Sequence, residues 1–197
     1  MSRSWERRHG ATITTFMNSD KHSVSQKPSN SESMNDLRLV AARQRLAESR
    51  DEKDAIEGLR EIVANLLGSE EIGLFKADHA TGTFKVCWSF GVDLTHYDLT
   101  RALGEPGIQR VKRGEFHIDL SPPDRPGSGA RAQAFIPIRL ASETIGVLAI
   151  LRLLPQKAAF DGADMDLFNL LSNEAAQPLF GSATGSHRAP RRQGMGA

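Results

Sequence analysis

The chain has 197 residues, with 25 Lys or Arg against 24 Asp or Glu and a formal charge of +1. That length holds one domain plus tails, and a domain of ~150 residues buries about 70% of its unfolded surface, so it needs no disulfide or metal to fold. The single cysteine, Cys87, excludes an internal disulfide and a four-cysteine zinc site, and no apolar run approaches the ~20 residues that span a bilayer.

The charge is unevenly placed. Residues 1–34 hold five Lys/Arg and three Asp/Glu, residues 182–197 hold three Arg and no acid, and residues 35–181 hold 17 basic against 21 acidic residues, a net of −4. A mildly acidic body with basic tails is the reverse of what a nucleic-acid-binding domain shows. Three tail arginines give little affinity at physiological salt, so neither nucleic acid nor a membrane is expected as a partner. The N-terminus has the positive charge of a signal peptide without its apolar segment or cleavage site, and the expected location is the cytoplasm.

In residues 1–34, Ser, Thr, Asn, Lys and His dominate, and Ile13, Phe16, Met17 and Val24 show no period. This stretch is expected to be a disordered extension; the alternative is a docking peptide anchored by Trp5 and Phe16. A helical pattern starts near Asp36 with Leu37, Val40, Ala41 and Leu46, and a clearer one follows Ser49. Ser49 with Glu52 reads as a capping box, and Asp51, Glu52 and Asp54 put negative charge in the first turn. Ala55, Ile56, Leu59, Ile62, Val63, Leu66 and Leu67 then form one apolar face, which Gly68 stops. Region 36–67 is either one long helix or two with a bend near Ser49.

Segments 71–78 and 83–90 read as an antiparallel hairpin around 79–82, with Phe84, Val86, Trp88 and Phe90 on one face and Lys85, Cys87 and Ser89 on the other. Residues 92–114 are irregular, with two short helices around 97–102 and 107–113. A third short strand follows at 116–120, and the proline-rich stretch from Ser121 is a loop. The most regular stretch, 131–154, is a second hairpin. Ala134, Ile136, Ile138 and Leu140 alternate with Gln133, Phe135, Pro137 and Arg139, and the turn is Ala141-Ser142-Glu143. The return strand is apolar on both faces, the mark of a central strand. Pro137 cannot donate to a ladder and argues for an edge position or a bulge. A last helix opens at Asp161 or Gly162, presents Met165, Leu167, Phe168, Leu170, Leu171, Ala175 and Ala176, and is expected to end at Pro178 and Gly181. The expected division is an extension (1–34), one domain (35–181) and a disordered basic tail (182–197). Terminal helices can cover one face of a mainly antiparallel sheet, and the irregular middle then covers the other face or leaves a cavity there.

Three strings, in this order, resemble a GAF domain over about residues 37–180. E-E-I-G-L-F-K-A-D follows an amphipathic helix. G-E-P-G-I-Q-R-V-K-R-G-E-F-H-I-D is similar to the family's Gly-Ile, helix, Gly, strand, Asp segment through Gly107, Gly114 and Asp119. F-I-P-I-R-L-A-S-E-T-I-G-V-L-A-I is similar to its Pro, short turn, Gly-Val-Leu pattern through Pro137, Gly146, Val147 and Leu148. The resemblance implies an α+β, GAF/PAS-like fold: a central five- or six-stranded antiparallel sheet, N- and C-terminal helices on one face, and on the other a pocket covered by loops and short helices. In the family that pocket holds a small molecule or is closed, and the terminal helices often dimerise and pass signals along the chain. The implied role is a sensory or regulatory domain in intracellular, bacterial-type signal transduction, and not an enzyme. It would bind a small molecule or a signalling protein (kinase, response regulator or transcription factor) and relay its state through the terminal helices. Region 36–67 then serves as a homodimer helix or as an intramolecular extension. The alternative is a ligand-free structural or adaptor protein.

The residues offer little reactive chemistry. Neither a Gly-rich phosphate loop nor a G-x-S-x-G elbow occurs. Cys87 reads as a half-buried core residue, with a redox sensor or attachment point as the alternative. GAF domains of the free methionine sulfoxide reductase type use several cysteines, and phytochrome-like ones attach a bilin through a cysteine well after the second strand. One Cys at position 87 argues against both, so no covalent bilin is expected and the cofactor, if any, is unidentified. Of the histidines, only His96 and His117 with Asp119 have a chance to meet on a metal. Asp164, Asp166 and Glu174 read as solvated helix-surface carboxylates. Trp88, Phe90, Phe116 and Phe135 fall on strands expected to border the front cavity, with Gln133, Arg131, Asp119 and His96 as its polar groups; alternatively, the aromatics fill that cavity as core. The Asn-Lys-Phe-Asp-Glu type motif of the family's cyclic-nucleotide binders is absent, which disfavours cyclic GMP.

Overall fold

The computed structural model describes residues 30–121 and 131–184. Five strands form one antiparallel sheet: β1 (Ser69–Asp78), β2 (Thr83–Phe90), β3 (His117–Ser121), β4 (Arg131–Leu140) and β5 (Glu143–Leu153), in the order β2-β1-β5-β4-β3. The strand with two apolar faces, β5, is the middle one. Pro137 lies inside β4, paired with Val147 of β5 on one side, and β3 starts opposite Phe135, so among the described residues no strand lies beside the proline on the other side. The Pro137 carbonyl accepts a hydrogen bond from Ser172 Oγ at 2.5 Å, and the strand bulges just beyond, between Ile138 and Arg139.

One sheet face is covered by helices α1 (Asn30–Ala47), α2 (Glu52–Ile62) with a single π-type turn (Val63–Leu67), α4 (Gly162–Glu174) and α5 (Ala176–Thr184). Leu59, Val63, Leu67, Phe168, Leu171 and Leu179 are buried there on Ile72, Leu74, Ile136, Leu148 and Ile150. Phe168 is wedged edge-on between Phe160 and Phe116, at ring distances of 5.2 and 5.9 Å. The close seat of α5 explains Gly146: a Cβ on this glycine would stand 2.6 Å from the Phe180 ring.

Several sequence expectations change. Region 36–67 is two helices, and the cap of the second is Asp51, whose carboxylate accepts from Asp54 N at 2.8 Å. Ser49 is two residues too early for that role, and its hydroxyl instead donates to the Arg45 carbonyl at 3.3 Å. α1 begins at Asn30, inside the expected extension. Residues 1–29 and 185–197, including the docking-peptide anchors Trp5 and Phe16, lie outside the described residues. Pro178 does not end the last helix. The helix breaks at Ala175 and restarts as α5, with Pro178 in the first turn, where an N–H has no helical partner to lose.

Asp164 is not solvated. It is fully buried at the N-terminus of α4, where Asp161 and Asp164 form a capping box. Lys157 Nζ lies 2.7 Å and Arg38 Nη2 3.3 Å from its Oδ1. Arg38 also donates to the Leu66 carbonyl, so this joint ties α1, the π-type turn and α4 together. α1 makes two more polar contacts with α4, Asn35–Asp166 at 2.7 Å and Arg43–Glu174 at 2.8 Å. Its outward side carries an apolar strip among polar residues: Met34, Leu37 and Val40 are 61%, 61% and 55% exposed.

Candidate functional site

The opposite face of the sheet presents Phe75 of β1, Phe135 of β4, and Val147, Ala149 and Leu151 of β5. Its cover comes from residues 92–98 and helix α3 (Leu99–Lys112). Asp98 caps α3, accepting from Arg101 N at 3.1 Å. The two short helices of the sequence reading are the halves of α3, separated at Gly104 (φ 63°, ψ 170°) just before Pro106. Thr144 Oγ1 lies 3.2 Å from the Val111 carbonyl and 3.3 Å from that of Lys112, which pins the last turn of α3 to β5. At the other end, Leu94 plugs the sheet at Gly73; a Cβ there would stand 2.4 Å from Leu94 Cδ1.

This front layer is closely packed. Phe75, Phe135, Val147 and Ala149 are fully buried, with Leu94, Leu99, Ile108 and Val111 closing over them. Polar atoms are nonetheless sealed into it without a protein partner among the described residues: the Tyr97 hydroxyl and His117 Nδ1, with Arg139 Nε a third beside Gly114 at the end of α3. The Tyr97 ring lies 5.8 Å from that of Phe75, and the His117 ring 6.0 Å from that of Phe135. Burial pushes the Tyr97 phenol pKa up. Beside Tyr97 the layer opens into a surface cleft of about 630 Å³, whose walls include Thr83, Lys85, Thr95 and Asp98.

Of the residues expected to line a front pocket, Trp88, Phe90 and Phe116 lie on the other side of the sheet. The cause for β2 is one extra residue. Leu74 pairs with Trp88 and Phe75 with Val86, so Cys87 forms a bulge and the alternation reverses after it. Phe84 and Val86 face the front, whereas Trp88 packs in the helix-covered core with Ile56 of α2. The Trp88 ring stacks on Phe90 at 6.3 Å, and the Arg60 guanidinium lies 4.9 Å over the Phe90 ring. Phe116 precedes β3 and packs on Phe168. Phe135 does face the front, as filled core. Asp119 and Gln133 are register partners at the β3 edge and share its alternation, with Asp119 exposed. His96 is exposed on the covering loop. His96, His117 and Asp119 do not converge, and among the described residues no group of three or more His, Cys, Asp or Glu side chains could hold a metal. The sequence reading missed Phe75, Leu94 and Tyr97. A glycine inside strand-like E-I-G-L-F was the available signal, since such a residue often marks a close approach by another segment.

Cys87 is exposed as a residue, but its thiol turns inward and donates to the Leu74 carbonyl at 3.3 Å. Burial, and after it the Glu52 carboxylate, pushes its pKa up to about 11. The thiolate is the reactive form. At pH 8, alkylation by iodoacetamide is therefore expected to run roughly 100-fold slower than for an unperturbed thiol of pKa ~8.5. The rate should climb steadily up to about pH 11; a plateau below pH 9 would contradict a buried thiol.

No protein-family model matches the chain, and no curated protein sequence matches it. Solved structures do. The GAF domain of a phosphoenolpyruvate-protein phosphotransferase from Coxiella burnetii superposes with a TM-score of 0.58 at 21% identity, covering 80% of this chain and 99% of that one. The GAF domain of the Acinetobacter phosphoenolpyruvate-protein phosphotransferase gives 0.57 at 16% identity, covering 82% and 100%. A free methionine-R-sulfoxide reductase from Neisseria meningitidis, solved with its substrate, gives 0.52 at 18% identity, covering 82% and 99%. The chain has a GAF-like fold, shared with the GAF domains of these phosphotransferases and with the methionine-R-sulfoxide reductase. Among the described residues, no helix is long and apolar enough to cross a membrane.

Proposed function

We propose that this chain is a sensory or regulatory module without enzymatic activity, which binds a small molecule in its front layer and relays the bound state to a signalling partner such as a kinase, response regulator or transcription factor. The observation that carries this reading is the pair of sealed polar atoms, the Tyr97 hydroxyl and His117 Nδ1. An unsatisfied buried polar group costs about 1–3 kcal/mol, and native proteins keep few of them. A ligand that hydrogen-bonds to the Tyr97 hydroxyl, which borders the cleft, recovers that cost and gains specificity, whereas His117 Nδ1 lies towards the opposite edge of the sheet, beside Phe135. It enters from the cleft beside Tyr97 by displacing residues 92–98, which run between two glycines in left-handed conformation, Gly91 (φ 72°) and Gly104 (φ 63°). The relay is a population shift, so the ligand must favour one arrangement of the cover or helices over another. The outward apolar strip of α1 supplies the output surface, used in a homodimer through Met34, Leu37 and Val40. Light scattering should then give a dimer mass for the wild type and a monomer for Leu37→Glu; a monomeric wild type would remove the dimer from the proposal.

The completeness of the front layer favours a second reading, a ligand-free adaptor. Tyr97→Phe separates the two. On the sensor reading it stabilises the free protein by about 1 kcal/mol, because an orphaned hydroxyl goes, and it weakens binding of any ligand found. That ligand is sought by thermal shift across nucleotides, amino acids, flavin and haem. At 100 times Kd it adds about 2.7 kcal/mol, or roughly 5–11 °C for a domain of this size. A flat panel together with a destabilised Tyr97→Phe protein would favour the adaptor.

A further inference from the structure

The edge of the sheet at β2 points to a peptide-docking surface. Among the described residues β2 pairs with β1 alone, and its outer row of backbone N–H and C=O groups has no strand beside it. The bulge at Cys87 places a recess on each face of that edge. On the helix side lies an apolar groove of about 630 Å³ between Ile56 and Trp88, rimmed by Glu52, Glu57 and Lys53. Phe90, 37% exposed, continues its apolar floor. On the front side lies the cleft described above, whose lining mixes Thr83, Thr95 and Thr100 with Lys85, Asp98 and Tyr97.

We propose that β2 receives a short extended segment of a partner protein, added as a sixth strand, with an aromatic or large aliphatic side chain in the Ile56–Trp88 groove and a basic side chain two positions on. Side chains alternate between faces along a strand, so residues i and i+2 of the segment lie over the groove and its rim, while residue i+1 faces the polar walls of the front cleft and is small and polar. Main-chain bonds give such complexes their affinity, and the alternate recesses their specificity. Charge selects the basic residue. Glu57 is engaged by Arg60 and Lys53 lies on the same rim, so the basic side chain is drawn to Glu52, which has no ion-pair partner among the described residues. The bulge and Lys85 argue for a short segment over a second copy's β2, since both devices oppose long, flat edge-to-edge pairing.

The test uses the full chain and a labelled synthetic peptide, Thr-Thr-Trp-Thr-Arg-Thr-Thr, capped at both ends and followed by fluorescence anisotropy up to roughly 1 mM peptide. Saturable binding is expected. Replacing the peptide's Arg by Glu should weaken it about fivefold, and Glu52→Lys, an exposed change that leaves the core intact, should reverse that preference. N-methylation of alternate peptide amides should weaken binding about tenfold or more, since it removes ladder donors. Absence of binding would overturn the proposal. So would an N-methylated peptide that binds as well as the parent, or a preference unchanged by Glu52→Lys. Two further outcomes would assign the edge elsewhere and also overturn it. Binding seen only after Trp5→Ala would give the edge to the chain's own Trp5-Glu6-Arg7, which carries the same order of side chains. Loss of a dimer on adding peptide would give it to a second copy.

Discussion

Asp164→Ala is expected to lower stability by about 3–5 kcal/mol, the cost of breaking a buried ion pair from one side. The variant leaves Lys157 and Arg38, each only about a quarter exposed or less, without their shared carboxylate. It also removes one half of the capping box at the start of α4. Water still reaches both cations in part, which places the effect toward the lower end of that range. Urea unfolding measures it. Asp164→Asn is the informative companion, because the amide oxygen can still accept from the Asp161 N–H while the charge is gone. A loss confined to the Ala variant would assign the effect to the cap; a loss shared by both assigns it to the charge. If both changes cost less than ~1 kcal/mol, α1 is not anchored through this joint.

Phe135→Ala should cost a similar amount, about 3–5 kcal/mol, by leaving a cavity in the front layer as well as losing buried apolar surface. For a domain of this size that is a fall in Tm of roughly 6–20 °C. The cavity would be mainly apolar, lined by Phe75, Val147, Ala149 and the inner side of α3, with the His117 ring at its β3 side. Apolar cavities take up small apolar molecules, so benzene should restore part of the loss by mass action. A fall below ~1 kcal/mol would mean that the front layer is loosely filled, and Phe135 would then be a lining residue of an open pocket. The measurement thus bears on the sensor and adaptor readings without knowledge of any ligand.

Much of the architecture could be read from residue pattern. The two apolar faces of β5 place it at the centre. The spacing of Leu59, Ile62, Val63 and Leu67 gives the helix that covers the back of the sheet, and Pro137 marks the point where β4 loses a neighbour. The candidate site was less legible, for a physical reason. Strand alternation is a rule of parity, and one inserted residue reverses it without any change in composition. Cys87 is that residue, so Trp88 and Phe90 moved to the back while Phe84 and Val86 stayed in front. Asp164 misled for a related reason. Helical spacing places it near the start of α4, but only the tertiary arrangement of Lys157 and Arg38 buries it with compensation. Tyr97 sits in an irregular segment where no period exists to be read.

The order of strands also sets a timetable for synthesis. β1 finds its second neighbour in β5, with Ser69 opposite Leu153. When the hairpin of β1 and β2 leaves the ribosome, one side of β1 has no neighbour, and none can arrive until the chain has grown through residue 153. At 5–20 residues per second, that interval from residue 90 is about 3–13 s. During it, Ile72, Leu74 and Phe75 can be covered only by α1, α2, their own hairpin and the α3 segment, without the central strand. The nascent chain therefore passes through a sticky half-sheet on every round of translation. In the test tube, closure of the span from residue 69 to 153, rather than formation of either hairpin, should govern how fast the protein refolds.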